Sequence, residues 1–252
     1  MTAPTRRLRM CLIAALIVIA ALMPSAGSSS VPRPPRWALH GPYSPVIDPK
    51  NFVSRVDNPY FPLKVGTAFH YRGAKDAVAQ TDDMVVTHQV KYVLGVRCTV
   101  VRDTVSEHGK PRERTYDWYA QDTQGNVWYM GEDSLESKSG RFVRASDSWE
   151  AGIHSARPGI IMRGHPRPGD VYRQEYYPKG QALDQARVVG TAGPVHAPAG
   201  AFSRALVTDE WSPVEPQMER KYYVAGVGEI KEQVTAGGHE HFELVAVTHG
   251  SR

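Results

Sequence analysis

Two histidines near the C-terminus have the spacing of a metal-binding pair. His239 and His241 flank Glu240, so both imidazoles share one face if the segment is a strand. Two imidazoles on one face could chelate a divalent metal ion. However, Phe242 and Leu244 occupy the other face and indicate the core side, and the sequence nominates no third ligand. We therefore expect both histidines to lie in solvent and predict no metal site.

A second group of chemistry-bearing residues follows Val171. Arg173 and Glu175 lie two residues apart, and Asp184 follows them. Such groups can act as general acid and base where a cavity brings them together. The alternative, which we favour, is a surface ion pair with a turn aspartate, worth about 0 to 1 kcal/mol. The chain carries no Gly-x-Ser-x-Gly elbow, phosphate-binding loop, dinucleotide fingerprint or Cys-x-x-Cys pair, so no triad hydrolase is predicted.

The strongest local pattern is an aromatic hairpin, DWYAQDTQGNVWYMGE, at residues 117–132. Gly125 lies at the turn position that needs a positive φ. If Gln121 pairs with Val127, then Ala120 faces Trp128, and alternation places a set of large side chains on one face. That predicted face consists of Tyr116, Trp118, Trp128, Met130 and Glu132.

Glu132 would be an unusual member of such a face. A carboxylate buried among aromatic rings costs several kcal/mol or takes a raised pKa unless it has a partner. Arg173 and Lys221, on other strand-like segments rich in tyrosine, are the candidate partners. Two interpretations are open: Glu132 sits exposed at a strand end above an ordinary core, or the face lines a ligand pocket. On the second interpretation the ligand-binding residues are Tyr116, Trp118, Trp128, Met130, Glu132, Arg173, Glu175 and Lys221.

The elements that must position these residues are short strands. Alternating apolar and polar residues, separated by Gly, Pro, Asn and Asp turn signals, predict eleven strands and no helix of twelve residues. The predicted strands are residues 67–72, 84–94, 96–106, 112–121, 127–132, 171–177, 186–193, 201–211, 220–224, 228–235 and 241–248. The fold class is therefore all-β, an antiparallel meander closed or curled into a barrel or half-barrel, like lipocalins or lipoprotein carriers in layout only.

Two further segments shape the predicted barrel. Residues 58–63, NPYFPL, form a rigid entry segment whose Tyr60, Phe61 and Leu63 can plug one end of the barrel. Residues 134–168 carry several Pro and Gly residues, and we expect a long excursion over one mouth.

The N-terminal sequence indicates export. Three arginines precede an apolar run of about 14 residues, which is shorter than the ~20 that span a bilayer. We predict a signal peptide at 1–27, a Pro- and Ser-rich linker at 28–50 and a single β-rich domain at 51–252, secreted or in the cell envelope without a stable membrane anchor. Removing the leader arginines lowers the formal net charge from +4 to +1, which disfavours nucleic acid. Cys98 then has no disulfide partner, and we expect a buried thiol.

The chain also resembles a family of exported bacterial proteins of unassigned function. The motifs that carry the resemblance are NPYFPL at 58–63, DWYAQDxxGNVWYxGE at 117–132 and YRQEY at 172–176. Shorter matches lie at residues 158–160, 221–223 and 226–228, so the resemblance spans most of the mature chain. It implies an exported β-rich domain and no catalytic assignment. The His-Glu-His sequence at 239–241 departs from the acidic residues of that family stretch.

The preferred functional hypothesis is an exported protein that binds a hydrophobic or amphipathic small molecule in a barrel cavity, without a cofactor. The alternatives are a secreted isomerase, cyclase or hydrolase that uses Glu132 or Glu175 in that cavity, and an envelope interaction protein without a pocket. All three share the fold, so the direction in which Trp118, Trp128 and Glu132 point discriminates between them. The oligomeric state is not predicted.

Overall fold

The computed structural model describes residues 34–215 and 217–250, and the predicted leader lies outside this range. Its regular structure is a short 3-10 helix, Pro49–Asn51, and twenty strands. The strands are β1 (Phe52–Val53), β2 (Asp57–Asn58), β3 (Phe61–Pro62), β4 (Thr67–Lys75), β5 (Val78–Val93), β6 (Val96–Glu107), β7 (Lys110–Asp122), β8 (Val127–Lys138), β9 (Arg141–Arg144), β10 (Trp149–Glu150), β11 (Arg157–Met162), β12 (Val171–Arg173), β13 (Glu175–Tyr176), β14 (Gln185–Ala192), β15 (Val195–Ala197), β16 (Gly200–Phe202), β17 (Ala205–Trp211), β18 (Met218–Val224), β19 (Gly228–Ala236) and β20 (Glu240–His249). The all-β prediction is confirmed. The described residues contain no helix that is long and apolar enough to cross a bilayer.

One antiparallel sheet forms a nearly closed barrel. Its strand order runs β12-β14-β17-β18-β19-β20-β4-β5-β6-β7-β8-β11-β13. The two terminal strands of this order are consecutive in sequence, separated only by Gln174. Residues 171–176 therefore pair with β14 through their first half and with β11 through their second half. This one segment joins the two edges of the sheet, as the predicted meander requires.

The turns that join consecutive strands of the barrel lie alternately at its two ends. The first end, which we call the plugged end, carries the β2–β3 hairpin and the turns at 94–95 and 122–127. The opposite end carries the β4–β5, β6–β7 and β19–β20 turns and the 212–217 loop between β17 and β18. Positive φ values at Gly95, Gly109 and Gly125 fit the tight turns, where a side chain would strain the backbone.

The predicted plug is present. Phe61 and Leu63 are each only 4% exposed, and the Phe61 ring packs edge-on against Tyr119 at 5.2 Å between centroids. Asn58 anchors the hairpin because its amide donates to the backbone oxygens of Gly125 and Arg163 at 2.8 and 3.0 Å. The rigid entry segment thus closes one end of the barrel with apolar side chains, and Tyr60 packs against them half-buried.

Residues 34–48, inside the predicted linker, lie against the outer face of the barrel. The side-chain amide of Gln185 contacts Leu39 twice, accepting from its backbone N at 2.6 Å and donating to its backbone O at 3.2 Å. The Arg173 guanidinium donates to the oxygens of Leu39 and Gly41 at 3.3 and 3.1 Å. We call residues 37–43 of this segment the strap, because Trp37, Leu39, Gly41 and Tyr43 contact β12, β13 and β14 from outside.

Two predicted elements differ in detail. The alternation across residues 84–94 fails because a register shift between Val86 and Val90 turns the strand, which leaves Tyr92 65% exposed and buries Val93. The 134–168 excursion contains the end of β8 and strands β9 to β11, so much of it belongs to the barrel wall. Irregularities of this kind add twist and are not encoded by a simple period of two.

Candidate binding sites

The barrel interior contains a layer of acidic side chains between the plug and the opposite end. Strand alternation and burial place these carboxyl groups on the inner face. The inward acidic residues are Asp82, Asp103, Glu113, Asp117, Glu132, Glu136, Glu210, Glu219, Glu229, Glu232 and Glu240. Lys75 and Lys221 are the inward ammonium groups of the described strands that lie among them. The interior therefore has a large excess of acidic over basic groups.

Lys221 lies at the centre of this layer and is fully buried. Its Nζ is 3.2 Å from Glu210 Oε2 and 3.1 Å from Glu232 Oε2. Burial lowers the pKa of Lys221, but the negative charges of Glu210, Glu232 and Glu229 outweigh this effect and raise it well above its ordinary value. Lys221, named from the sequence as a candidate partner of Glu132, thus lies inside the barrel, and its ion pairs with Glu210 and Glu232 stabilise its charged form.

Asp82 and Asp103 form a carboxyl pair on neighbouring strands. Burial raises the pKa of Asp82 well above its usual range, and Asp103 raises it further by its charge and by a hydrogen bond. Burial raises the pKa of Asp103 to about 6, although the hydrogen bond from Asp82 lowers it. At neutral pH Asp82 is therefore the protonated donor and Asp103 the ionised acceptor.

Tyr129 connects two more of the carboxyl groups. Its Oη lies 2.8 Å from Asp117 Oδ1 and 2.9 Å from Glu132 Oε2. One hydroxyl carries one proton, so one of the carboxyl groups must supply a second proton to this chain. Burial and the nearby charge of Glu132 raise the pKa of Asp117 well above its usual range, although the hydrogen bonds from Tyr129 and Thr115 lower it. The alternation of the hairpin sequence indicates Glu132 as an inward residue but does not indicate Tyr129 or Asp117 as its neighbours.

The predicted aromatic face is split by a β-bulge. Gln121 pairs with Val127 and Ala120 with Trp128 as predicted, but the register then shifts. Glu132 consequently pairs with Asp117, and Tyr116 pairs with Asp133, so the prediction that Tyr116 and Glu132 share one face is wrong. Glu132 points into the barrel, whereas Tyr116 lies on the outer side.

The two tryptophans of that face also lie outside the barrel. Trp118 is 7% exposed and is covered by Lys91, whose Nζ is 4.6 Å from its ring centroid. Trp128 packs edge-on against Phe52 at 6.3 Å. Met130 is fully buried at the bulge. The five residues therefore do not form one wall.

Arg173 is not a partner of Glu132. It pairs with Gln185 on the outer face, where it donates to the strap and lies 5.0 Å from the ring of Tyr176. Tyr172 takes the inward position instead, because neighbouring residues of a strand face opposite sides. Glu175 is 2% exposed and pairs with Pro158 of β11, apart from the strap contacts of Arg173.

Three cavities of the described structure bear on binding. A cavity of about 20 Å³, the space of roughly one water, lies behind the plug between Phe61 and Glu229. A cavity of about 10 Å³ lies at the opposite end beside the 212–217 loop. A larger cleft of about 240 Å³ lies outside the barrel, between residues 46–52 and the β7–β8 turn. Both cavities at the barrel ends are too small for a polycyclic ligand.

The outer cleft contains Trp128, one of the predicted ligand-binding residues, together with Phe52, Asp48 and Asp122. We call it the Trp128 cleft. Asp122 fixes its floor by accepting hydrogen bonds from the Gln124 and Asn126 amides and from Trp128 Nε1 at 2.9 Å. The indole is thus held in one orientation before any ligand binds.

A hydroxyl–imidazole–carboxylate array lies on the outer face of β20, β4 and β5. His70 Nδ1 is 2.6 Å from Asp83 Oδ1, and His70 Nε2 is 3.1 Å from Thr248 Oγ1. The order of groups resembles a catalytic triad, but the His70 and Asp83 side chains are exposed and line none of the three cavities. A pocket that binds substrate and excludes water is needed for such chemistry, so this array carries no functional assignment.

The C-terminal histidines lie where the sequence predicts. His239 and His241 are exposed, while Glu240 and Phe242 point inward. Within residues 34–215 and 217–250, no group of three or more His, Cys, Asp or Glu side chains could hold a metal ion.

Comparisons with known proteins give structural neighbours only. No known protein family matches the chain, and no curated protein matches it significantly. A chain from Bacteroides fragilis, described as an exported protein with a YmcC-like fold, aligns with 15% identity and a TM-score of 0.38, over 75% of this chain and 98% of its own. A chain from Parabacteroides distasonis, described as a lipoprotein, aligns with 9% identity and a TM-score of 0.38 over the same shares.

Proposed function

We propose that this chain is an exported binding protein that holds a small amphipathic ligand in the Trp128 cleft. The observation that carries the proposal is the cleft's volume of about 240 Å³, which is the largest of the three cavities and is close to the size of small-molecule sites. The sequence-based hypothesis of an amphipathic ligand is kept, and its site moves from the barrel interior to the outer surface.

The lining of the cleft favours a ligand that carries a positive charge. Trp128 and Phe52 offer aromatic rings, which attract cations through their π faces as well as apolar groups. Asp48 and Asp122 add two carboxylates, and the described lining residues include no Lys or Arg. An organic cation with an apolar tail complements both properties.

The cleft is also preorganised, which supports a binding role. The hydrogen bond to Asp122 fixes the Trp128 indole, and the Asp48 side chain accepts from the Lys50 amide at 3.0 Å at the start of the 3-10 helix. Side chains that are already ordered lose little entropy when a ligand binds.

Isothermal titration with dodecyltrimethylammonium, below its micelle concentration, tests the proposal. We expect saturable 1:1 binding to the protein and at least about tenfold weaker binding to Trp128→Ala, because a cation–π contact and apolar area are lost. Trp37→Phe is the matched control, since Trp37 packs on Arg187 in the strap region. Equal binding by Trp128→Ala and the unchanged protein would reject the site.

The enzyme alternative makes a different prediction at Glu132. Glu132 lies inside the barrel, where its carboxyl group accepts a hydrogen bond from the Tyr129 hydroxyl. If the Trp128 cleft is the binding site, Glu132→Gln therefore leaves dodecyltrimethylammonium binding unchanged. A loss of binding in this variant would favour a site in the interior instead.

A further inference from the structure

The opposite end of the barrel has a small acidic pocket beside the loop that joins β17 to β18. The pocket is lined by Asp184, Glu210, Trp211, Ser212, Glu215, Gln217 and Glu219. We call it the loop pocket. Four of its seven lining residues are acidic, and none of the seven is basic. It lies at the end of the barrel away from the plug, so it is independent of the Trp128 cleft.

Two buried polar atoms in the loop pocket have no partner among the described residues. Ser212 is 3% exposed and Gln217 is 8% exposed, yet Ser212 Oγ and Gln217 Oε1 make no hydrogen bond. A buried polar oxygen without a partner destabilises the fold, so such atoms mark the place of a missing donor. Both residues line the pocket, and therefore that donor would enter the pocket.

Gly238 helps to hold the Gln217 side chain there. A Cβ atom at this glycine would lie 2.4 Å from Gln217 Nε2, so a larger residue would push the amide away. The absence of a side chain at position 238 thus lets the Gln217 side chain pack against the β19–β20 turn.

Other buried carboxyl groups of the barrel pair with lysine ammonium groups. One layer deeper, the Lys221 ammonium lies between Glu210 and Glu232, and the Lys75 ammonium lies 2.9 Å from Glu240 Oε2. Glu210 takes part in both environments, since it contacts Lys221 and also lines the loop pocket. Burial and then the charge of Glu232 raise the pKa of Glu219 well above its usual range, which favours its protonated form.

We propose that the loop pocket is a binding site for the primary ammonium group of an amine ligand. The space of about 10 Å³ fits a group of the size of one water, and an ammonium has that size. Its three N–H donors match Ser212 Oγ, Gln217 Oε1 and a carboxyl oxygen of the acidic lining residues. The alkyl part of the ligand would extend out of the barrel past Trp211.

Nuclear magnetic resonance titration of the full chain with n-butylamine tests this site. The comparison ligand is n-butyltrimethylammonium, which has the same charge but no N–H donors and is too large for the pocket. We expect n-butylamine to shift the amide signals of residues 211–219 saturably and n-butyltrimethylammonium to bind at least about tenfold more weakly, since hydrogen bonds to a charged group are lost. Equal binding of the two cations would overturn the proposal.

Variants separate the loop pocket from general attraction to a negative protein. Ser212→Ala and Gln217→Leu should each weaken n-butylamine binding at least about fivefold, because each removes an oxygen that accepts from the ammonium group. Glu243→Gln, which removes the carboxylate that pairs with Lys231 outside the barrel, should leave n-butylamine binding unchanged. If Gln217→Leu fails to fold, Ser212→Ala alone decides, and unchanged affinity in that variant would reject the site. Trp128→Ala should not alter n-butylamine binding, which distinguishes this site from the Trp128 cleft.

Discussion

Asp82 on β5 and Asp103 on β6 form a buried carboxyl pair inside the barrel. Burial and the charge of Asp103 raise the pKa of Asp82, which favours its protonated form. The folded protein therefore holds a proton at this pair at a pH where the unfolded chain has released it. The same holds at Asp117 and Glu219, whose pKa values burial also raises.

These raised values predict that the protein is more stable in mild acid. A carboxyl group with a raised folded-state pKa stabilises the fold fully below its unfolded pKa near 4 and loses this contribution as the pH rises through the folded value. For Asp103 and Glu232 the folded values are about 6 and about 7. Between pH 4 and 7 each such group lowers the free energy of unfolding by up to about 1.4 kcal/mol per pH unit. Urea unfolding at pH 5.0 should show a higher midpoint than at pH 7.5.

Asp82→Asn is the variant that tests the pair directly. An amide keeps the N–H donor toward Asp103 but does not titrate, so the fall in stability between pH 5.0 and 7.5 should become smaller. A steeper fall, or higher stability at pH 7.5 in the unchanged protein, would contradict the assignment of the proton to Asp82.

Lys221→Met should destabilise the protein strongly. It leaves Glu210 and Glu232 buried without their ammonium partner, and breaking a buried ion pair by removing one member costs about 3 to 5 kcal/mol. Lys231→Met is the control, because its pair with Glu243 is partly exposed and should be worth less than about 1 kcal/mol. Chemical denaturation at pH 7.5 measures both, and similar losses would show that Lys221 is not held as a charged group.

Tyr129→Phe should cost about 1 to 3 kcal/mol, because it removes the hydroxyl between Asp117 and Glu132 while keeping the ring. Tyr92→Phe provides the comparison at a tyrosine that is 65% exposed. Thermal unfolding of the two variants should show a loss for Tyr129→Phe alone. An unchanged melting temperature would mean that the hydroxyl does not join the two carboxyl groups.

The barrel could be predicted from the sequence because apolar and polar residues alternate along many of its strands, and because Gly, Pro, Asn and Asp mark its turns. The pairing of Gln121 with Val127 was predicted from the hairpin turn and is confirmed. The Phe61 and Leu63 plug was likewise visible as apolar residues on either side of Pro62. In each case local residue chemistry determines the conformation.

The interior acidic layer could not be predicted, because polar residues at alternate positions normally indicate a solvent face. Gln80 and Asp82 look like surface residues in the sequence, yet both are buried. The bulge near Met130 was also invisible, since one extra residue leaves no periodic trace. The outward position of Arg173 depends on the strap, a contact between residues about 130 positions apart.

The β-bulge of β8 requires a glycine at position 131. We therefore expect an alanine substitution to cost more stability at Gly131 than at Gly140. Gly131 has φ +140°, and a Cβ there would lie 2.5 Å from Trp149 O. Gly140 also has a positive φ, but nothing lies within 4 Å of its Cβ position. Gly140→Ala should cost about 1 to 2 kcal/mol from the backbone alone, and Gly131→Ala more. Differential scanning calorimetry decides between them, and equal losses would exclude the steric effect.

Residues 171–176 meet two different neighbours along a stretch of only six residues. Should this segment detach, β14 and β11 would both present free backbone groups, and each could accept a strand from another molecule. The strap lies over the same region and holds Arg173 in place. Residues 171–176 and the strap over them therefore keep the backbone groups of β11 and β14 paired within one molecule.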